Sequence, residues 1–497
     1  MEAELSFDSE RALGQRDPKI YGHFIEHFHR QVYGGIYDPG SPLSDAAGLR
    51  RDVCDAIRAL RPPVIRWPGG CYVSAYHWED GIGPTRAPRF DKAWRVEESN
   101  AFGTDEFIGF CRNVGAEPYI CTNAGSGTSE EMSNWVEYCN LAAQGKWARL
   151  RADNGSAAPH NVRYWSIGNE NYGDWEIGAK TADEWARFVT ESGKMMKAVD
   201  PSIQLMAASV AELDWNLRLL REAGKVIDWI SIHGYWDPLW ESNDLSSYET
   251  CMALSTTIAP RITTTEHILG ALGLLGKIRI AFDEWNLRGW HHPSRWSATE
   301  DHLTPRDKND LNSSYTMADA VFTACFLNDC LRHCRTVGMA NFAPLVNARG
   351  VIFTHAAGIV LRPTYFVFQL FTEHMGDVVL DSWLKQNADF SVSRPDGDVV
   401  VPAIDAVATR TTGENAVRIA VVNRHPEKPV GLMLRGPDIR RFTKATVYTL
   451  GAPSKDSYND TDAPAIVVPG RDSYSLKESD RTRLDIAPHS VSVIVLS

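Results

Sequence analysis

Tyr164-Trp165-Ser166-Ile167-Gly168-Asn169-Glu170 is a short apolar run that stops on a polar pair. A run this short, closed by a glycine, suits a buried strand better than a helix. Ile278-Arg279-Ile280-Ala281-Phe282-Asp283-Glu284-Trp285-Asn286 repeats the design and again sets a glutamate where an apolar strand emerges. Working outward, strands are expected at Ile20–Glu26, Val64–Trp67, Pro118–Thr122, Ile203–Ala208, Trp229–His233 and Gly338–Ala343, separated by stretches of helical periodicity. Eight strands alternating with helices predict an α/β fold, a (β/α)8 TIM barrel, with Glu170 and Glu284 on strands four and seven at the end that faces the active site.

One of the expected helices is Ser313–Arg335, with a polar cap at Asn312 and one apolar face made by Met317, Val321, Ala324, Cys325, Leu327 and Leu331. Beyond His374 the texture changes to alternating strands and turn residues at Ala416–Asn423, Ala445–Leu450 and Ser490–Leu496, the pattern of an antiparallel β-sandwich. The expected division is an N-terminal segment 1–17, in which Leu5–Phe7 can add a strand to the β domain, a barrel over 18–375 and a C-terminal β-sandwich over 376–497.

Of the 497 residues, 43% are hydrophobic and 23% charged, which excludes disordered and fibrous classes. A formal charge of -12 argues against a nucleic-acid surface and favours a neutral partner. Met1–Asp17 has no apolar signal core, and no run is long enough to cross a membrane, so a cytoplasmic protein is expected. Nine cysteines without a CxxC pair read as free thiols; those at Cys325, Cys330 and Cys334 read as core residues rather than zinc ligands.

Cleavage of a glycosidic bond needs one carboxyl group to protonate the leaving oxygen and another to meet the oxocarbenium-like centre; for retention they stand about 5 Å apart. One must hold its proton while the other stays ionised, a difference that aromatic walls and hydrogen bonds create. Trp175, Trp236, Trp240, Trp285 and Trp290 lie close in sequence to the two strand ends and are expected to form such walls.

Tyr21-Gly22-His23-Phe24-Ile25-Glu26-His27, Arg66-Trp67-Pro68-Gly69-Gly70, Trp78-Glu79-Asp80-Gly81-Ile82-Gly83-Pro84, Gly168-Asn169-Glu170 and Asp283-Glu284-Trp285-Asn286 resemble glycoside hydrolase family 51, the α-L-arabinofuranosidases. Gly-Asn-Glu is shared across a large clan of barrels; the first three stretches single out the family. The resemblance implies Glu170 as acid/base, Glu284 as nucleophile and Asn169 as donor to the sugar 2-hydroxyl. It further implies Glu26, Arg66, Cys71, Trp94 and Tyr235 as substrate-binding positions, a double-displacement release of terminal arabinofuranose, and a homo-oligomer, often a hexamer; the two carboxylates perform the chemistry without a metal or organic cofactor, and a cytoplasmic location implies short oligosaccharides as substrates.

Two positions depart from the pattern. Cys71 stands where members carry Asn or Cys, and a thiol is a weak donor. Pro344 stands where the family usually has Gln, and proline has no side-chain donor. A same-family endoglucanase, xylosidase or galactofuranosidase is therefore carried alongside, as is a non-catalytic carbohydrate-binding protein. His23-Phe24-Ile25-Glu26-His27 also fits the H-x-x-E-H pattern of a zinc peptidase, which requires a helix; flanking Pro18 and Gly34-Gly35 favour strand and loop. His291 and His292, before Pro293, read as loop residues.

Overall fold

Parallel strands closed into a ring bury one side chain in two at the barrel axis and the other beneath the helices, an alternation that sets the direction of a strand residue except where a bulge interrupts it. The computed structural model describes residues 1–497 apart from 143, 243, 291–308, 438 and 477–480. Its eight-stranded closed barrel runs Gly22–Phe24, Val64–Trp67, Glu117–Thr122, Tyr164–Ile167, Gln204–Ala208, Trp229–Asp237, Arg279–Arg288 and Val337–Phe342, and the last strand pairs with the first. Val64, Tyr119, Tyr164, Met206, Trp229, Ala281 and Met339, one from each of strands two to eight, form one buried cluster.

Several strand boundaries differ from the sequence reading, among them Trp229–Asp237, which runs four residues past His233; two have local reasons. Pro18–Tyr21 is a 3-10 turn capped by Asp17, with proline at its first position, so the first strand keeps only Gly22–Phe24. Arg279–Arg288 runs past Glu284 instead of ending at it, and its register against Trp229–Asp237 shifts between Ala281 and Glu284. Such a bulge breaks the alternation, so Asp283 and Glu284, though consecutive, both turn to the barrel interior while Trp285 turns outward.

The helix expected at Ser313–Arg335 forms over Met317–Arg332. Its cap is Thr316, whose hydroxyl accepts from the Ala318 amide while Asp319 reaches back; Asn312 lies in a separate turn and bonds Arg362. Every residue from Met317 to Leu331 is buried, because the helix lies between the barrel and the C-terminal sheet and has no solvent face. Burial of Phe322, Phe326, Leu327 and Leu331 stabilises this junction by about 1.5–3 kcal/mol each.

The C-terminal region is built on a hydrogen-bonded sheet of nine strands, beside a separate antiparallel pair, Asp389–Val392 with Val399–Pro402. Glu2–Gln15 is a strand inside it, antiparallel to Val378–Gln386 and parallel to Val430–Arg435, so one of its ladders is not antiparallel. Alternate residues Ala3, Leu5 and Phe7 join the buried cluster of this sheet. The nine cysteines are free thiols, buried except for Cys71. No described helix is long and apolar enough to cross a membrane.

Candidate active site

Arg66, on the second strand, is fully buried and joins the two glutamate-bearing strands. One terminal nitrogen donates to Glu284 Oε2 at 2.7 Å and the other to Asn169 Oδ1 at 2.8 Å, with Asp283 Oδ2 3.8 Å from Nε. Charge-assisted bonds of this kind are the strong ones, and burial sharpens them. Burial raises the Asp283 carboxyl, but the Arg66 charge and bonds from His233 and Ser231 outweigh it and hold the group down to about 2.

Glu170 leaves the fourth strand through a turn that the sequence dictates. Gly168 has φ +69°, and a Cβ there would stand 2.1 Å from Asn171 Oδ1 and 2.7 Å from the Trp185 ring. Glu170 itself has φ +45°, an uncommon conformation for a residue with a side chain and one that collects at functional sites. Its Oε2 accepts from Trp175 Nε1 at 2.8 Å, and its Oε1 faces His233 Nδ1 at 2.9 Å and Tyr172 Oη at 3.3 Å.

Ligand atoms of Glu170, His233 and Glu284 all lie within 4.8 Å of one another, so the carboxyl groups converge on a single site. His233 Nδ1 is 3.7 Å from Glu284 Oε2, and its Nε2 is 3.4 Å from Asp283 Oδ1. Burial lowers the proton affinity of His233, but Glu284, Asp283 and Glu170 together push it up to about 10. Burial raises Glu170, but the bond and charge of His233, with help from Trp175 and Arg66, hold it below the usual carboxylate value. The expected proton-holding carboxyl is therefore one half of a histidine–glutamate pair whose shared proton rests on the imidazole. Tyr235 Oη donates to Glu284 Oε1 at 2.6 Å, and its own proton is held far more tightly than usual, by burial first.

Above these groups opens a cavity of about 410 Å³ lined by Glu26, Phe28, Gly70, Cys71, Trp94, Glu170, Trp175, Tyr235, Trp240, Glu284, Trp290 and Arg349. That volume is at the small end of the ~300–1,000 Å³ typical of ligand sites. Glu26 Oε1 accepts from Trp94 Nε1 at 2.9 Å and from the Tyr72 amide at 3.1 Å. Glycine at position 70 leaves room for this carboxylate, since a Cβ there would lie 2.5 Å from Oε1 and displace it. Burial, aided by the charge of Glu284, pushes the Glu26 carboxyl up to about 8.

Six of the eight positions named from sequence, Glu26, Cys71, Trp94, Glu170, Tyr235 and Glu284, line this cavity. Arg66 and Asn169 lie behind it, fully buried; the Asn169 amide nitrogen donates to Glu176 Oε2 at 3.2 Å. Among the tryptophans, Trp175, Trp240 and Trp290 line the cavity, but Trp236 and Trp285 do not. Trp236 follows inward-facing Tyr235 and Trp285 follows inward-facing Glu284, so alternation sends both outward against Phe326 of the neighbouring helix. Sequence reasoning missed His233 and Arg349. His233 was within reach, since it lies two residues before Tyr235 on the same strand face; Arg349 has no pattern around it.

His23 lies on a strand, not a helix, and packs against Phe368, while His27 pairs with Glu98 at 3.0 Å and stacks on Tyr72. Among the described residues, two groups bring three metal-capable atoms together, Cys71/Glu170/Glu176 and Glu170/His233/Glu284, and neither includes His23, Glu26 or His27. His291 and His292 fall outside the described residues.

A parallel eight-stranded barrel whose strand ends bring two glutamates to one sugar-sized hollow is the design of a glycosidase. Known proteins narrow the class. The α-L-arabinofuranosidase 1 domain matches residues 56–252, and the α-L-arabinofuranosidase C-terminal domain matches residues 283–490. The intracellular exo-α-(1→5)-L-arabinofuranosidase of Halalkalibacterium halodurans is 35% identical, with 88% of each chain covered. The α-L-arabinofuranosidase C of Emericella nidulans is 34% identical over 90% of this chain and 89% of its own. The α-L-arabinofuranosidase of Thermotoga maritima, solved as an arabinose complex, superposes with a TM-score of 0.89 at 36% identity over 99% of both chains. The family 51 arabinofuranosidase of Xanthomonas axonopodis pv. citri superposes at 0.90 with 27% identity over the full length of both. The chain belongs to the α-L-arabinofuranosidases of glycoside hydrolase family 51.

Proposed function

We propose that the protein removes terminal non-reducing α-L-arabinofuranosyl residues from oligosaccharides with retention of configuration. Glu284 attacks the anomeric carbon as the leaving oxygen takes a proton from Glu170; the same carboxylate then draws a proton from the incoming water. The observation that carries this reading is the convergence of the two carboxyl groups on one small cavity, with ligand atoms no more than 4.8 Å apart. Arg66 and Tyr235 orient Glu284 from two sides, and His233 hands its proton to Glu170 as the leaving oxygen gains charge. Glu26 and Trp94 supply an acceptor and a wall for the sugar, and Cys71 completes the rim. Asn169, held by Arg66 and Glu176, fixes the turn that carries Glu170, and its amide nitrogen keeps a second hydrogen for the 2-hydroxyl.

We also propose the division into segment 1–17, barrel 18–375 and sheet domain 376–497, a homo-oligomer of six chains, and a cytoplasmic site of action on short imported oligosaccharides. The relative in Halalkalibacterium, described as intracellular, supports the last of these.

The test uses a panel of nitrophenyl glycosides and polymers, with α-L-arabinofuranoside, β-D-galactofuranoside, β-D-xyloside and glucan as arms. The arabinofuranoside is expected to be hydrolysed best, Glu284→Ala to be inactive on it, and Glu170→Ala to be rescued by azide, yielding an azido sugar of retained configuration. Wild-type turnover by Glu284→Ala, or azide rescue with inverted configuration, removes the assignment.

A further inference from the structure

Among the described residues lining the cavity, Arg349 is the one cation. It sits in the loop between the eighth strand and Ile352–His355, and its Nε donates to the carbonyl of Ala343 at 3.1 Å, the residue just before Pro344. The guanidinium carbon is 4.5 Å from the centroid of the Tyr235 ring and 5.8 Å from that of Trp290. Its positive charge reaches Glu26 and Tyr235, favouring the ionised form of each. One terminal nitrogen, Nη1, is buried and has no hydrogen-bond partner.

A buried charged donor without an acceptor is costly, and a fold keeps one where a ligand completes the bond. Pro344, just past the end of the eighth strand, contributes neither an amide hydrogen nor a side-chain donor. We propose that Arg349 is a specificity-determining residue that donates to a hydroxyl oxygen of the terminal sugar, opposite the acceptor Glu26. The proposal deepens the glycosidase reading above and rests on it. The group recognised is a neutral hydroxyl rather than a sugar carboxylate, because Glu170 and Glu284 share the same hollow and repel an anion. Tyr235 and Trp290, beneath and beside the guanidinium, fix its plane, so the donor is aimed and not merely attractive.

The experiment couples a residue change to a substrate change. Wild-type enzyme, Arg349→Met and Arg349→Gln are assayed on nitrophenyl α-L-arabinofuranoside and on its 2-, 3- and 5-deoxy analogues. Arg349→Met is expected to lose about 10- to 100-fold in kcat/KM on the full sugar, the range for a charge-assisted hydrogen bond. For one deoxy analogue, already poor with the wild type, the same substitution should cost nothing further. Arg349→Gln, which keeps a donor, should recover part of the loss, as should free guanidinium added to Arg349→Met. An equal loss on all four substrates, or wild-type kinetics in Arg349→Met, overturns the proposal. If Arg349→Met does not fold, Arg349→Gln and Arg349→Lys carry the same comparison. A wild-type enzyme inactive on every furanoside defeats the glycosidase reading instead, so the two failures are told apart.

Discussion

Replacing His233 with asparagine isolates the proton that the mechanism uses. In the wild type one proton is shared by His233 and Glu170, and the pair keeps it until the pH rises through about 10. Without the imidazole, Glu170 must hold that proton alone. The substitution removes a buried charge-assisted hydrogen bond of 2.9 Å. Such a bond contributes about 1.5–3 kcal/mol, and at 1.36 kcal/mol per pKa unit this is ~1–2 units of proton affinity. The direction follows from which group is left: a carboxyl gives up its proton at lower pH than the imidazole did, so the alkaline limb of kcat/KM moves down by at least the ~1–2 units that the lost bond represents. The assay is the pH profile on an alkyl arabinofuranoside, whose poor leaving group depends on the proton, beside an activated aryl arabinofuranoside, which depends on it less. The shift should be plain on the first substrate and small on the second. An alkaline limb that stays in place on the alkyl substrate, in a folded variant, refutes the shared-proton account.

Glu26→Gln should separate stability from activity. Burial raises this carboxyl to about 8, so folding favours its protonated form. That contribution is complete below the unfolded value near 4.5 and is lost as pH rises through about 8, where keeping a charge buried becomes costly. Thermal melts should therefore show the variant gaining on the wild type as pH rises from about 5 to about 8, while kcat/KM falls at every pH. A difference in Tm independent of pH removes the argument. Trp240, 49% exposed at the cavity rim, has a ring face open to a leaving-group sugar. Trp240→Ala should raise KM for arabino-oligosaccharides by about 5- to 30-fold, the loss of an aromatic contact of ~1–2 kcal/mol, and leave the small aryl arabinofuranoside nearly unchanged; an equal rise for both contradicts a leaving-group role.

Sequence pattern carries the architecture further than the site. Barrel strands are legible because a strand buried on both faces is a short apolar run, and Val64–Trp67 and Tyr164–Ile167 are almost nothing else. Glu170 and Glu284 stand out as acids at the ends of such runs. Position along the chain does not give direction across it, which is why Trp236 and Trp285, adjacent to inward residues, read as cavity walls and lie under a helix instead. The bulge at Asp283–Glu284 is a register property between two strands and leaves no mark in either sequence. His233 reads as an ordinary strand residue until Glu170, 63 positions earlier, is brought to its ring.

The buried groups form a charge system suited to the reaction rather than to stability. Arg66 and protonated His233 supply two positive charges; Glu170, Asp283 and Glu284 supply three negative ones, within hydrogen-bonding or ion-pairing range of each other. The sum is one negative charge in a low-dielectric hollow, where electrostatic effects are far larger than in water. An oxocarbenium-like transition state develops positive charge at that place, so its stabilisation exceeds that of the neutral substrate, which is what acceleration requires. Stability alone would be served as well by apolar residues of the same volume. Proton transfer from His233 through Glu170 to the leaving oxygen moves positive charge out of the cluster as the sugar gains it. The imidazole thus holds the proton in the resting site and releases it when the neighbouring carboxylate engages the sugar.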